Sequence, residues 1–533
     1  MNGHVKTIDA AGLKGALHDG VEIALLDARE EVPFEARHLL MAACVPLSRL
    51  ELLVDACVPR RSTRVVWCDD GEGLAQRAAT RMASFGYTDV AVLAGGIAAW
   101  EAAGFRIYSG VHVPSKAFAE VVEHQAGTPW ISAEELKELI DSGADIALFD
   151  SRSYEEFHNN SIPNAISVPG AELVYRFGDL VPSPETLVIV NCGGRTRSII
   201  GAQSLINAGV PNKVVSLKNG TQAWHLAGFE VLKGSTARPL AGAPASHAAA
   251  RAAAERVAER FGIARIGADT LAQWQAESAM RTLYVFDVRT PEDYQAGHVP
   301  GMKNVPGGQL VQETECHAST WGARVVLVDD DGVRAVMTAH WMKQMGWDVA
   351  AMTIDMRTQP LQTGAWAPHV LGLDSAIAPS IDAATLRQRM QSGAVSVIDL
   401  DWSRDYRKGH IPGAWYGIRA RLDTVLPKLP SADSVVFTSG DGVLARLAAS
   451  DLNMSASRPT LALDGGTAAW REAGFGLEQG ETRLASLPDD IRLPAREQGA
   501  NIEEAMQAYL SWEIALAEQM ATDDDQRFRI LSG

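Results

Sequence analysis

A chain of 533 residues is too long for one core; at roughly 100 to 200 residues per domain it holds three or four. With 47% hydrophobic and 21% charged residues and only 24 prolines, it does not have the composition of a disordered, collagenous or low-complexity chain. Lys+Arg 48 against Asp+Glu 65 leaves a net charge of −17, a field that repels polyphosphate and anionic lipid, so neither nucleic acid nor a membrane surface is expected as a partner.

The opening Met1-Asn2-Gly3-His4-Val5-Lys6-Thr7-Ile8 has no basic stretch followed by an apolar one, and no apolar run approaches the ~20 residues of a spanning helix. A cytoplasmic location is the expectation. Five cysteines, Cys44, Cys57, Cys68, Cys192 and Cys316, are odd in number and thinly spread, unlike a disulfide framework, and none forms a CxxC pair that would suggest structural zinc.

Along the chain an apolar strand ending in aspartate occurs four times: Ala24-Leu25-Leu26-Asp27, Ala147-Leu148-Phe149-Asp150, Tyr284-Val285-Phe286-Asp287 and Ser396-Val397-Ile398-Asp399. The first three continue as Asp-x-Arg, with Arg29, Arg152 and Arg289. A segment of the type Gly297-His298-Val299-Pro300-Gly301 follows, clear again at Gly409 to Gly413 and worn in the other two copies. Then come a buried-type strand, a loop and a helical stretch, the strands being Arg64 to Trp67, Leu187 to Val190, Arg324 to Leu327 and Ser434 to Phe437. Three copies close on Gly95-Gly96-Ile97-Ala98-Ala99-Trp100, Asn219-Gly220-Thr221-Gln222-Ala223-Trp224 and Gly465-Gly466-Thr467-Ala468-Ala469-Trp470.

The repeat aspartates lie 123, 137 and 112 residues apart, the size of a small domain rather than a solenoid unit. Short apolar strands alternating with helical patterns imply βαβ units. The expected fold is therefore α/β: four tandem domains, each a parallel sheet with helices on both faces. The expected boundaries are 1–110, 111–240, 241–373 and 374–484, with an Ala-rich helical connector from Ala237 to Arg260 and a helical tail at 485–533. In the tail, Ile502, Met506, Tyr509, Leu510 and Leu516 are at helical spacing between Asn501 and Met520, predicting a helix docked on a neighbouring domain.

The chemistry is concentrated after the strand of the second copy, in Cys192-Gly193-Gly194-Arg195-Thr196-Arg197-Ser198. A cysteine between a strand's end and a helix's start faces unsatisfied N–H groups and the positive end of the helix dipole. Gly193 and Gly194 at positive φ would let N–H groups converge on the sulfur, and Arg195 and Arg197 would add charge. These features together predict a Cys192 pKa below the usual ~8.5.

The equivalent positions follow from spacing. Asp27 to Asp69, Asp150 to Cys192 and Asp287 to Asp329 are each 42 residues, and Ser439 matches by strand pattern in the fourth copy. The nucleophile position thus holds Asp69, Cys192, Asp329 and Ser439. Cys68 is one residue early and reads as the last core-facing strand residue. Cys44, Cys57 and Cys316 read as small apolar residues. Asp-x-Arg persists in copies without the cysteine, so it reads as a buried pair holding the strand end, and Trp100, Trp224 and Trp470 read as packing residues.

Taken in order, the Asp-x-Arg, Gly-His-Ile-Pro-Gly, Cys-Gly-Gly-Arg-Thr-Arg-Ser and Gly-Gly-x-x-Ala-Trp segments resemble the rhodanese family of sulfurtransferases over about 480 residues. That resemblance implies a multidomain thiosulfate sulfurtransferase, with a six-residue cradle from Cys192 to Arg197. Related phosphatases and arsenate reductases have Cys-x5-Arg, whereas the spacing here is Cys-x4-Arg, which favours sulfur transfer. The implied catalytic residue is Cys192, and Gly193, Gly194, Arg195, Thr196 and Arg197 would bind the donor, with no metal or organic cofactor. The implied partners are a small-molecule sulfur donor and acceptor, or a thiol protein as acceptor. The alternative is a persulfide carrier that docks on a protein partner.

Overall fold

The computed structural model describes residues 5–181, 183–240, 242–452, 458–494 and 501–531. Of the segments read above, residues 1–4 of the opening, residue 241 of the connector, and residues 495–500, 532 and 533 of the tail lie outside the described residues. Each repeat forms its own twisted sheet. In the second domain the order is Trp130–Ile131, Val214–Leu217, Leu187–Asn191, Ile146–Asp150, Ile166–Ser167, all parallel. The third and fourth domains repeat this order, and the first does so with one added strand. Four tandem α/β domains are therefore present. Buried on both sides, the central strands read as continuous Val, Ile, Leu and Phe runs, as parallel sheets demand.

The domains do more than follow one another. Thr320–Trp321 of the third domain joins the first domain's sheet, pairing antiparallel with Ile23–Asp27 and covering an edge that would otherwise be open. A single hydrophobic cluster runs from Leu25 and Val66 of the first domain, through Val190 and Ile199 of the second and Phe286 and Val325 of the third, to Leu516 and Met520 of the tail. The fourth domain keeps separate cores and meets the first through Arg419, whose guanidinium binds Glu51 at 2.6 Å and Asp451 at 2.6 Å. Among the described residues, no helix is long and apolar enough to cross a membrane.

Three helices outside the sheets position the site. His247–Phe261, the alanine-rich connector, buries Ala250, Ala254, Val257 and Phe261 in the shared core. Val113–Val122, between the first two sheets, is buried along nearly its whole length. Against it lies the tail helix Ile502–Ala521, whose Trp512 ring fills the space where any side chain at Gly110 would stand. Of the five residues that define its apolar face in the sequence, Met506, Leu510 and Leu516 are buried.

Candidate active site

The four strand-to-helix loops superimpose by their hydrogen bonds. The N–H after each repeat aspartate donates to a carbonyl on the next strand: Ala28 to Cys68, Ser151 to Asn191, Val288 to Val328 and Leu400 to Thr438, all at 2.9 to 3.0 Å. One residue further, the carbonyls of Asp69, Cys192, Asp329 and Ser439 accept from Ile97, Thr221, Ile354 and Thr467 at 2.8 to 3.0 Å. This is the register given by the 42-residue spacing. Cys68 ends its strand fully buried, and burial, with the Asp27 carboxylate nearby, pushes its thiol pKa far up.

Close approach explains the glycine pairs. Gly96, Gly220 and Gly466 all have φ near +60°, and a Cβ there would stand 2.4, 2.3 and 1.9 Å from the carbonyl oxygens of Asp69, Cys192 and Ser439. The Asp-x-Arg pairs are buried and bidentate, with Arg29, Arg152 and Arg289 reaching their aspartates at 2.6 to 2.7 Å. Each arginine also donates to the carbonyl eight residues on, so the pair clamps the strand end to the following helix. Trp100, Trp224 and Trp470 each donate Nε1–H to the carbonyl six residues ahead, which makes them packing residues.

Cys192 sits between strand Leu187–Asn191 and helix Thr196–Ala208, 2% exposed. Its Sγ–H donates to the Ser198 hydroxyl at 3.5 Å, which in turn donates to the Arg195 carbonyl at 2.8 Å. The expectation of a depressed pKa is corrected. Burial pushes the thiol up and Glu513 adds to that, outweighing the opposing pull of Arg197 and Ser198. A second correction concerns Gly193 and Gly194, neither of which adopts a positive φ. A Cβ on Gly194 would stand 3.1 Å from Glu513 Oε2 and from Tyr509 Cε1, so a side chain there would press on the tail helix.

Both arginines carry counter-ions. Arg195, 4% exposed, binds Glu120 through Nε at 2.6 Å and Nη2 at 2.7 Å, pairs with Glu123, and donates to Asn219 at 3.0 Å. Its charge ties the loop to helix Val113–Val122. Burial pushes Glu120 up to about 7 despite that pairing. Arg197 forms a fork with Glu156 at 2.6 and 2.8 Å and donates to Gln309 of the third domain at 3.1 Å. Glu156, partly exposed, is held at about 2, chiefly by Arg197. Thr196 turns its hydroxyl to Glu513 Oε1 at 2.6 Å.

Ser198, Glu120, Glu156, Tyr509 and Glu513 were not among the residues read as site residues. Glu156 stands at the third helical position after Ser153, a capping-box pattern visible in sequence. No local signal ties the tail's Glu513 to a loop 317 positions earlier.

The Rhodanese-like domain family matches residues 9–103, 132–227, 268–355 and 382–473, and the chain belongs to that family. A crystal structure of a thiosulfate sulfurtransferase from Pseudomonas aeruginosa covers 99% of this chain and 100% of its own, with 47% identity and a TM-score of 0.94. The putative sulfur carrier protein YrkF of Bacillus subtilis (strain 168) is 28% identical over 102 residues, 19% of this chain. The match takes in 54% of that relative, so the chain spans about half its length.

Proposed function

We propose that the chain is a thiosulfate-type sulfurtransferase with one active site, in its second domain. The observation that carries this reading is that Cys192 is the one thiol among the four equivalent loop positions, the others being Asp69, Asp329 and Ser439. The Cys192 thiolate attacks the outer sulfur of the donor, the S–S bond breaks, and with thiosulfate the bonding pair leaves on sulfite. Cyanide or a thiol then takes the sulfur from the Cys192 persulfide. Gly193 and Gly194 keep the loop face clear, Thr196 fixes the tail carboxylate, and Arg197 is the cation closest to acting on the sulfur. The similarity to the Pseudomonas aeruginosa enzyme supports thiosulfate as the donor class.

Intact mass after excess thiosulfate tests the reading: one added sulfur per chain, on the fragment containing Cys192 and released by cyanide. A second labile sulfur, or one on another cysteine, would sink the single-site assignment. The similarity to a putative sulfur carrier favours a second reading, in which the persulfide is delivered to a protein partner. Rapid turnover of thiosulfate and cyanide by the purified chain supports the enzyme. Loading only by a partner protein supports the carrier.

A further inference from the structure

The tail helix brings to the catalytic loop a carboxylate that no ion pair uses. Glu513 is 1% exposed, and its Oε1 is satisfied by the Thr196 hydroxyl. Its Oε2 is buried and accepts no hydrogen bond. That oxygen lies 3.1 Å from the point where a Cβ on Gly194 would stand, beside the Tyr509 ring, so it faces the loop rather than the core of the tail. Leaving a carboxylate oxygen dry and unpaired is costly, and the cost is removed when a ligand supplies the missing donor.

The neighbouring charges define which ligand. Arg152 is taken by Asp150, Arg195 by Glu120 and Glu123, and Arg197 by Glu156, so three arginines face four carboxylates before Glu513 is counted. None of the ion pairs among the described residues includes Glu513. Lys116, the remaining cation nearby, donates Nζ–H to the Val111 carbonyl at 2.6 Å and lies over the Tyr509 and Trp512 rings at 5.2 and 5.0 Å. Burial lowers it to about 8, so it keeps its charge at neutral pH, but it spends its N–H on a carbonyl and the rings rather than on a Glu513 hydrogen bond. Arg492 sits on the Tyr509 ring at 5.3 Å and pairs with Glu35. Of these carboxylates only Glu513 has a buried oxygen without a hydrogen-bond partner, and an acceptor that brings a cationic N–H donor would satisfy it.

We propose that Glu513 Oε2, walled by Tyr509, is a subsite for the ammonium group of the sulfur acceptor, and that the acceptor is a small amino-thiol. The proposal rests on the Cys192 persulfide reading. With the ammonium on Glu513, the acceptor thiolate attacks the outer sulfur of Cys192–S–SH. The sulfur–sulfur bond breaks, its electron pair passes to Cys192 Sγ, and the acceptor departs as its own persulfide, R–S–SH. No external oxidant or reductant takes part.

The test uses the full chain loaded with sulfur by thiosulfate, with discharge of the persulfide followed by intact mass. Cysteamine, 2-mercaptoethanol and 3-mercaptopropionate serve as cationic, neutral and anionic acceptors, compared at equal thiolate concentration. The wild type is expected to favour cysteamine over 2-mercaptoethanol by about tenfold or more, the scale of one hydrogen bond to a charged group. Glu513→Gln should collapse that ratio and raise the relative rate of 3-mercaptopropionate, while Glu513→Asp, which keeps the charge, should restore part of the cysteamine preference. Equal rates for the three thiols in the wild type, or a ratio that Glu513→Gln leaves intact, would overturn the subsite. A chain that never gains sulfur on Cys192 would overturn the persulfide reading, and the subsite with it.

Discussion

In the first domain the Asp69 carboxylate accepts the N–H of Gly71 at 3.1 Å and of Ala75 at 2.9 Å, and in the third Asp329 accepts those of Gly332 and Ala335 at the same two distances. In the second domain the residue six places on, where Ala75 and Ala335 stand, is Ser198, and it meets Cys192. In all three domains a strand end and a helix start converge on this one point, where backbone N–H groups can meet an anion. In two of them the chain's own carboxylate fills it. The lesson is that the cradle alone confers no sulfur chemistry; the atom placed in it does. The second domain differs also in its surroundings, for its loop meets Glu513 of the tail helix and pairs through Arg195 with Glu120 of the helix before its sheet.

The largest test of this contrast is Cys192→Ser, which is expected to abolish sulfur loading while leaving the thermal transition in place, since the hydroxyl is nearly isosteric with the thiol. Residual turnover above the uncatalysed rate would show that another group carries sulfur. Next comes Arg195→Ala. It leaves the Glu120 and Glu123 carboxylates without their cation and should destabilise the chain by about 3 kcal/mol, read from denaturant midpoints, the low end for breaking a buried pair because Glu120, already near 7, protonates readily. An unchanged midpoint would show that the pairing is not structural.

The raised Cys192 pKa gives a test with a definite sign. The thiolate is the reactive form, and a thiol held above its usual value gains about tenfold in thiolate per pH unit up to that pKa. Iodoacetamide labelling of Cys192 in the sulfur-free chain should therefore keep climbing from pH 7 through pH 9, and a plateau near pH 7 would mean an activated thiolate. Asp69→Ala removes the acceptor for two N–H groups and should cost about 1 to 3 kcal/mol with sulfur loading retained, as calorimetry and intact mass would report. Loss of loading there would couple the first domain to the chemistry. Smallest of all, Cys68→Ser is expected to keep most activity; if it is inactive, the loop register is off by one.

Much of this was legible in the sequence. Repeated strands, glycine pairs and a constant 42-residue spacing predicted four α/β domains and the register of their loops, because strand pairing and positive-φ turns are local and tolerate few alternatives. Cys192 stood out for the same reason, its loop being continuous in sequence. The partners of that loop were not legible. Glu120 precedes the second sheet, Gln309 belongs to the third domain and Glu513 lies 317 positions from Thr196, so only packing brings them together. Arg195 and Arg197 read as free cations because a sequence shows charges without their counter-ions, and Cys192 read as activated because a sequence does not show burial. Tertiary structure decided both, by drying the thiol under the tail helix and matching each arginine to a carboxylate from elsewhere in the chain.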